Sequence, residues 1–161
     1  MTDTGFGPLI GAGELSTRID EPGLRIADVR WYLGEAGRGH AEYAAGHIPG
    51  ALFVDLERDL SAATGPGRHP LPDPTAFADR LGDLGFGDEH AIVVYDQSGG
   101  TVAGRLWWML DRLGHRDVTI LDGGLPAWLA AGGETTPIVP TPLRSRLTLA
   151  TEWPGTIDRD E

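Results

Sequence analysis

The sequence predicts an α/β domain whose parallel sheet is covered by helices on both faces. Three observations carry this. Short apolar runs alternate with segments of helical periodicity, and Gly or Pro punctuates most junctions. The run Ala91-Ile92-Val93-Val94-Tyr95 carries no charge, as a strand buried on both faces requires. The 161 residues, 40% hydrophobic and 23% charged, fit one ordinary soluble domain with a proper core.

Residues 1–10 read as an entry segment. Glu14, Leu15 and Ile19 predict a short helix, ended near Pro22-Gly23. Leu24 to Arg30 reads as a strand, Gly34 to Gly39 as a loop and Ala41 to Ala45 as a short helix. After His47-Ile48-Pro49-Gly50-Ala51 comes a second strand, Leu52 to Asp55, and then a Gly/Pro-rich loop from Ser61 to Pro72. Asp73-Pro74 is a strong helix start, a capping side chain followed by Pro at the first helical position. Phe77, Leu81 and Leu84 mark the buried face of that helix, and Gly85 closes it.

The strand Ala91–Tyr95 leads into Asp96-Gln97-Ser98-Gly99-Gly100-Thr101. The next helix carries Val102, Leu106, Met109, Leu110 and Leu113 on one face and ends at Gly114. Val118 to Leu121 is a strand, Gly123-Gly124 a turn, and Pro126 to Ala131 the last helix, closed by Gly132-Gly133. From Glu134 onward Thr, Pro and Arg dominate and periodicity fades. We therefore expect a domain over 1–137 and a linker over 138–161.

Composition excludes several functions. The net charge of −11 argues against nucleic acid as a partner. No apolar stretch approaches the ~18 residues of a membrane helix, and Met1 to Gly5 lacks the features of a secretory signal, so a cytoplasmic location is the default expectation. With no cysteine the chain has no disulfide, thiolate metal site or cysteine nucleophile. His40, His47, His69, His90 and His115 show no metal-ligand spacing, so neither metal nor cofactor is expected.

The informative unit is the strand, loop and helix from Ala91 to Leu113. A loop of small residues between a strand and a helix N-terminus aims several backbone N–H groups at one point and suits an anion. Gly and Ser also occur there simply to make a tight turn.

Several motifs stand in order. Asp28-Val29-Arg30, Glu42-Tyr43-Ala44-Ala45-Gly46-His47-Ile48-Pro49-Gly50-Ala51, Arg105-Leu106-Trp107-Trp108 and Leu121-Asp122-Gly123-Gly124 with Ala127-Trp128 together resemble the rhodanese family over about residues 8–135. The resemblance implies a three-layer α/β/α rhodanese-like domain around a central, mostly parallel five-stranded sheet. The double Trp and Arg68-His69-Pro70-Leu71-Pro72 are more typical of the N-terminal, non-catalytic domain of two-domain thiosulfate or 3-mercaptopyruvate sulfurtransferases.

In an active rhodanese the residue after the strand is a cysteine that accepts sulfane sulfur. Here it is Asp96, so the resemblance implies a degenerate active-site loop over Asp96, Gln97, Ser98, Gly99, Gly100 and Thr101 with no catalytic residue. The expected partner is a second rhodanese domain of the same polypeptide, carrying the cysteine. Thr151 to Asp158 resembles an interdomain linker reaching its first residues. The alternative is a free-standing cysteine-less module that binds a protein or a small anion.

Asp28 and Arg30 are expected to form buried hydrogen bonds or an ion pair near the turn, and His47 to fasten that turn by a hydrogen bond. Arg105 is expected to pair with Asp96, or else to face the interdomain cleft. Of Trp107 and Trp108, one is expected in the core and the other at a surface contact. Asp122 reads as turn chemistry. An aspartyl nucleophile loop like that of haloacid-dehalogenase-like phosphatases is a further reading of Asp96, but that family needs a second Asp where Ser98 stands.

Overall fold

The computed structural model describes residues 6–155. Five strands and five helices alternate: β1 (Leu9–Ile10), α1 (Ala12–Arg18), β2 (Leu24–Asp28), α2 (Arg38–Ala45), β3 (Ala51–Phe53), α3 (Pro74–Leu84), β4 (Ala91–Tyr95), α4 (Ala103–Arg112), β5 (Val118–Leu121) and α5 (Gly124–Ala130). The sheet order is β1-β5-β4-β2-β3 and every strand pairing is parallel. All five strands therefore end on the same edge of the sheet, where the loops that follow them gather.

Alternation along the strands divides the core in two. Ala27 and Val29 with Ile92 and Val94 face α3 and α4, packing against Phe77, Leu81, Leu106, Met109 and Leu110. Leu24, Ile26, Val93 and Tyr95 face the opposite layer, meeting Leu15 of α1, Tyr43 of α2, and Leu125 and Trp128 of α5. β4 lies at the centre and is buried along its whole length. The start of α3 forms as its sequence predicts, with the Asp73 side chain accepting from the Ala76 N–H and Pro74 at the first turn.

β2 ends at Asp28 and β3 spans Ala51–Phe53, each shifted by one or two residues from the expected strand, and three elements differ further. The opening segment supplies the fifth strand: β1 pairs with β5 at the sheet edge, Leu9 opposite Ile120 and Ile10 opposite Leu121. Two residues are too few to show a period, so no pattern in the sequence marks them. The helices α2 and α5 begin earlier than expected, at Arg38 and Gly124. Gly-rich starts conceal a helix because propensity there is low.

The segment read as a linker has no regular structure, yet it is not loose. His47 and Thr136 exchange backbone hydrogen bonds, and the chain then runs as a strap beneath α3 and α4. The Ser145 N–H donates to Gly82 O, Asp88 N–H to Arg146 O, and Ala150 N–H to Leu113 O. Leu147 enters the core on the α3–α4 face. Trp153 stacks on Trp108 with ring centroids 5.7 Å apart, and its Nε1–H donates to Pro72 O at 2.8 Å. Residues 138–155 thus pack as part of the domain's body. The linker expectation at Thr156, Ile157 and Asp158 falls outside the described residues.

Candidate functional site: the Asp96 loop

β4 delivers Asp96 to the edge of the sheet, and α4 begins seven residues later. Four backbone N–H groups converge on its carboxylate. Oδ1 accepts from Ser98 at 2.9 Å and Gly100 at 2.8 Å, and Oδ2 accepts from Val102 and Ala103, both at 2.8 Å. The residue is 1% exposed. Gly100 sits at φ +115°, which lets the loop turn its N–H inward. Val102, at the N-cap of α4, supplies no side-chain cap, so Asp96 satisfies the first amides of the helix from across the loop.

The loop is held from behind. Asp96 O accepts from the Leu125 N–H at 2.9 Å. A Cβ on Gly124 would lie 2.5 Å from that same carbonyl oxygen, and Gly124 has φ +60°. The pair Gly123-Gly124 therefore permits a close approach as well as a turn.

The arrangement defines what the loop can do chemically. Its inward donors are those of an anion cradle, and the anion is the protein's own carboxylate. Both carboxylate oxygens are engaged and buried, so Asp96 is not presented as a nucleophile. Gln97 and Ser98 are exposed and offer no substitute. Among the described residues no group of His, Asp or Glu could hold a metal ion.

Asp28 and Arg30 form a separate buried network with Tyr95, and His47 is buried on the turn that this network holds. Arg30 Nε donates to Asp28 Oδ1 and Oδ2 at 3.1 and 3.0 Å, and Nη2 donates to Oδ2 at 2.7 Å. Tyr95 Oη donates to the same carboxylate at 2.6 Å and accepts from the Ile48 N–H. Arg30 Nη2 also donates to Gly46 O at 2.7 Å. Burial lowers the affinity of the Arg30 guanidinium for its proton, but the bonds and charge of Asp28 outweigh this and leave its pKa raised. Burial, reinforced by the charge of Asp28, pushes the Tyr95 hydroxyl well above its ordinary range.

The His47 ring stacks on Tyr43 at 4.0 Å, with its nitrogens 2.7 Å from Tyr43 O and Ile138 O. With His47, the network ties β2, β4, the turn before β3 and the start of the strap together, and it presents no group to a ligand.

Arg105 does not pair with Asp96. Its Nη2 donates to Leu60 O at 2.8 Å and to His69 O at 2.9 Å, clamping the loop after β3 onto α4. The carboxylate was already satisfied by amides, while two loop carbonyls lay within reach of a long side chain leaning toward the helix N-terminus. Trp107 and Trp108 are both half-buried, and the partner of Trp108 is Trp153 of the chain's own tail. Asp122 is exposed on the turn before α5. Sequence reasoning missed Trp153, Tyr95 Oη and the backing role of Gly124; the Gly pair after Leu121-Asp122 was the one available signal.

The Rhodanese-like domain family matches residues 11–131, most of the described chain. The chain belongs to the rhodanese-like family. It is 48% identical over 128 residues to a Pseudomonas aeruginosa protein named "Probable 3-mercaptopyruvate sulfurtransferase", covering 77% of this chain and 45% of that one. It is 39% identical over 132 residues to the thiosulfate sulfurtransferase of Bos taurus, covering 80% of this chain and 44% of the relative. The crystal structure of a 3-mercaptopyruvate sulfotransferase from Escherichia coli superposes with a TM-score of 0.83 at 36% identity, over 91% of this chain and 56% of that chain. This rhodanese-like chain thus spans about half the length of the relatives it matches.

Proposed function

We propose that this rhodanese-like domain is the non-catalytic, N-terminal half of a thiosulfate or 3-mercaptopyruvate sulfurtransferase, supporting a second domain that carries the reactive cysteine. One observation carries the reading: the place where the family's resemblance puts a thiolate holds Asp96, seated by four amides in the cradle. A carboxylate cannot form a persulfide, and the chain contains no cysteine. The half-length match to two-domain-sized relatives supports a second domain of the same polypeptide. Such a protein is expected in the cytoplasm, and no helix among the described residues is long and apolar enough to cross a membrane.

The alternative is a free-standing module. Its anion-binding form is disfavoured, because the donors that would receive the anion already serve Asp96. A protein-binding form differs from the main reading only in its partner.

For the 161-residue chain by itself, the thiosulfate:cyanide reaction and the corresponding 3-mercaptopyruvate reaction should run no faster than buffer. Cyanolysis measured as thiocyanate formation checks this. Turnover that scales with protein concentration would show that sulfur transfer does not need a cysteine of a second domain.

A further inference from the structure

The turn 87–90 lies between α3 and β4, at the end of the sheet opposite the Asp96 loop. His90 is 4% exposed there. The Gly87 N–H donates to His90 Nδ1 at 2.9 Å, and the His90 N–H returns a bond to Gly87 O at 3.1 Å. A backbone amide can only donate, so Nδ1 must keep a free lone pair. The ring is therefore neutral, with its proton on Nε2, which lies 3.3 Å from Glu89 Oε1. On the far side, His115 Nε2 donates to His90 O at 2.9 Å.

This turn carries the middle of the strap. The Asp88 N–H donates to Arg146 O at 3.0 Å, and the Thr148 N–H donates to Asp88 Oδ1 at 2.6 Å. A Cβ on Gly87 would lie 2.8 Å from Ser145 Cβ, so turn and strap are in direct contact. Residues 145–148 form no helix or strand of their own, and these two bonds are a main part of what fixes them.

The surroundings resist a charge on the ring. Burial is the largest influence and holds the His90 pKa below its ordinary 6.5. Arg25 of β2, tied to Gly85 O and Pro22 O, acts in the same direction, as does His115, whereas Glu89 opposes them. Asp88, Arg116 and Asp117 also stand on this side, lining the cleft beside His115. With a lowered folded value, the stability supplied by the neutral ring is complete above the ordinary value. It is lost as the pH falls through the lowered one.

We propose that His90 is an acid-sensitive latch for the strap: a proton taken from solvent at Nδ1 breaks the Gly87 bond, opens the turn and frees the strap at Arg146 and Thr148. The latch is independent of the function proposed above, since it involves neither the Asp96 loop nor a second domain.

Hydrogen exchange of the 161-residue chain at neutral pH and at about pH 5 tests the latch, each amide being corrected for its intrinsic rate. Protection of the Asp88 and Thr148 amides should fall severalfold on acidification, while the amides of β4 keep theirs. In His90→Asn an oxygen replaces Nδ1 as the acceptor and takes up no proton, so the fall should vanish. Glu89→Gln removes a charge that favours the imidazolium, so the fall should move to lower pH. The Glu89 side chain is 65% exposed, so this variant decides the matter should His90→Asn fail to fold. A fall that persists in His90→Asn, or stays in place in Glu89→Gln, would overturn the proposal. So would a wild-type chain that shows no fall, or one in which β4 loses protection to the same degree.

Discussion

Replacing Arg30 with Met should destabilise the domain by about 3–5 kcal/mol, the range found when one partner of a buried ion pair is removed. The Asp28 carboxylate is 0% exposed and Arg30 5% exposed, so the orphaned charge has no route to solvent. Tyr95 Oη and the Arg30 backbone N–H would still donate to it, but the guanidinium that neutralises it would be gone. The carbonyl of Gly46 would lose its donor too, loosening the turn that enters β3. Against a typical stability of about 5–15 kcal/mol this is a large fraction. Urea denaturation reads the effect as a lower midpoint at nearly constant slope. Adding Asp28→Asn to Arg30→Met should recover part of the loss, since it removes the stranded charge. A loss below about 1 kcal/mol, the range of exposed pairs, would contradict a desolvated pair.

Asp96→Ala should be the second most costly change, and its cost should depend on anions. Four amides that now donate to the carboxylate would face an emptied, partly buried site. Leaving a buried donor unmet costs about 1–3 kcal/mol, and loop relaxation with water entering keeps the sum well below four times that. A net loss of about 3 kcal/mol is expected on that basis. Sulfate or thiosulfate can then fill the vacated cradle and restore stability by mass action, about 2.7 kcal/mol at a hundred times the Kd. The wild-type chain should show only the general effect of such salts, because its cradle is occupied.

Asp96→Asn separates charge from shape. Its NH2 group would meet backbone donors, and its bulk would still exclude an anion, so it should be destabilised without sulfate rescue. Thermal unfolding of the three proteins across a sulfate series, with chloride at matched ionic strength as control, distinguishes these outcomes. Equal response to sulfate in the wild type and Asp96→Ala would mean that the carboxylate does not occupy the anion site.

Much of the architecture is readable in the residues themselves. The apolar run of β4 reveals a strand at the centre of a parallel sheet, and Asp73-Pro74 marks the first turn of α3, because in both cases the signal is local. β1 is not readable, since two residues carry no period and their pairing with β5 joins positions over a hundred residues apart. The strap is unreadable for a related reason. Its order comes from backbone bonds to Gly82 and Leu113 and from Trp153 lying on Trp108, none of which imposes a repeat on the intervening sequence.

At the candidate site the loop and its cradle could be recognised from small residues between a strand and a helix. The occupant could not, because the reach of a carboxylate to four amides depends on the path of the loop in space. Arg105 shows the same limit. Nearness in sequence to the Asp96 loop made the carboxylate its natural partner, whereas its acceptors are carbonyls of Leu60 and His69, brought close only by the fold.

On the proposed reading, Asp96 occupies the position of the family's thiolate, with the amides of Ser98, Gly100, Val102 and Ala103 around it. Installing Asp96→Cys tests it most directly. The sulfur would meet the amides of Ser98, Gly100, Val102 and Ala103 at the start of α4, and those donors stabilise a thiolate. The expected result is a thiol pKa well below the ordinary value of about 8.5. On treatment with thiosulfate, attack of the thiolate on the sulfane sulfur should release sulfite and leave a persulfide, seen by intact-protein mass spectrometry as the gain of one sulfur atom. A thiol that titrates ordinarily and gains no sulfur would contradict the account.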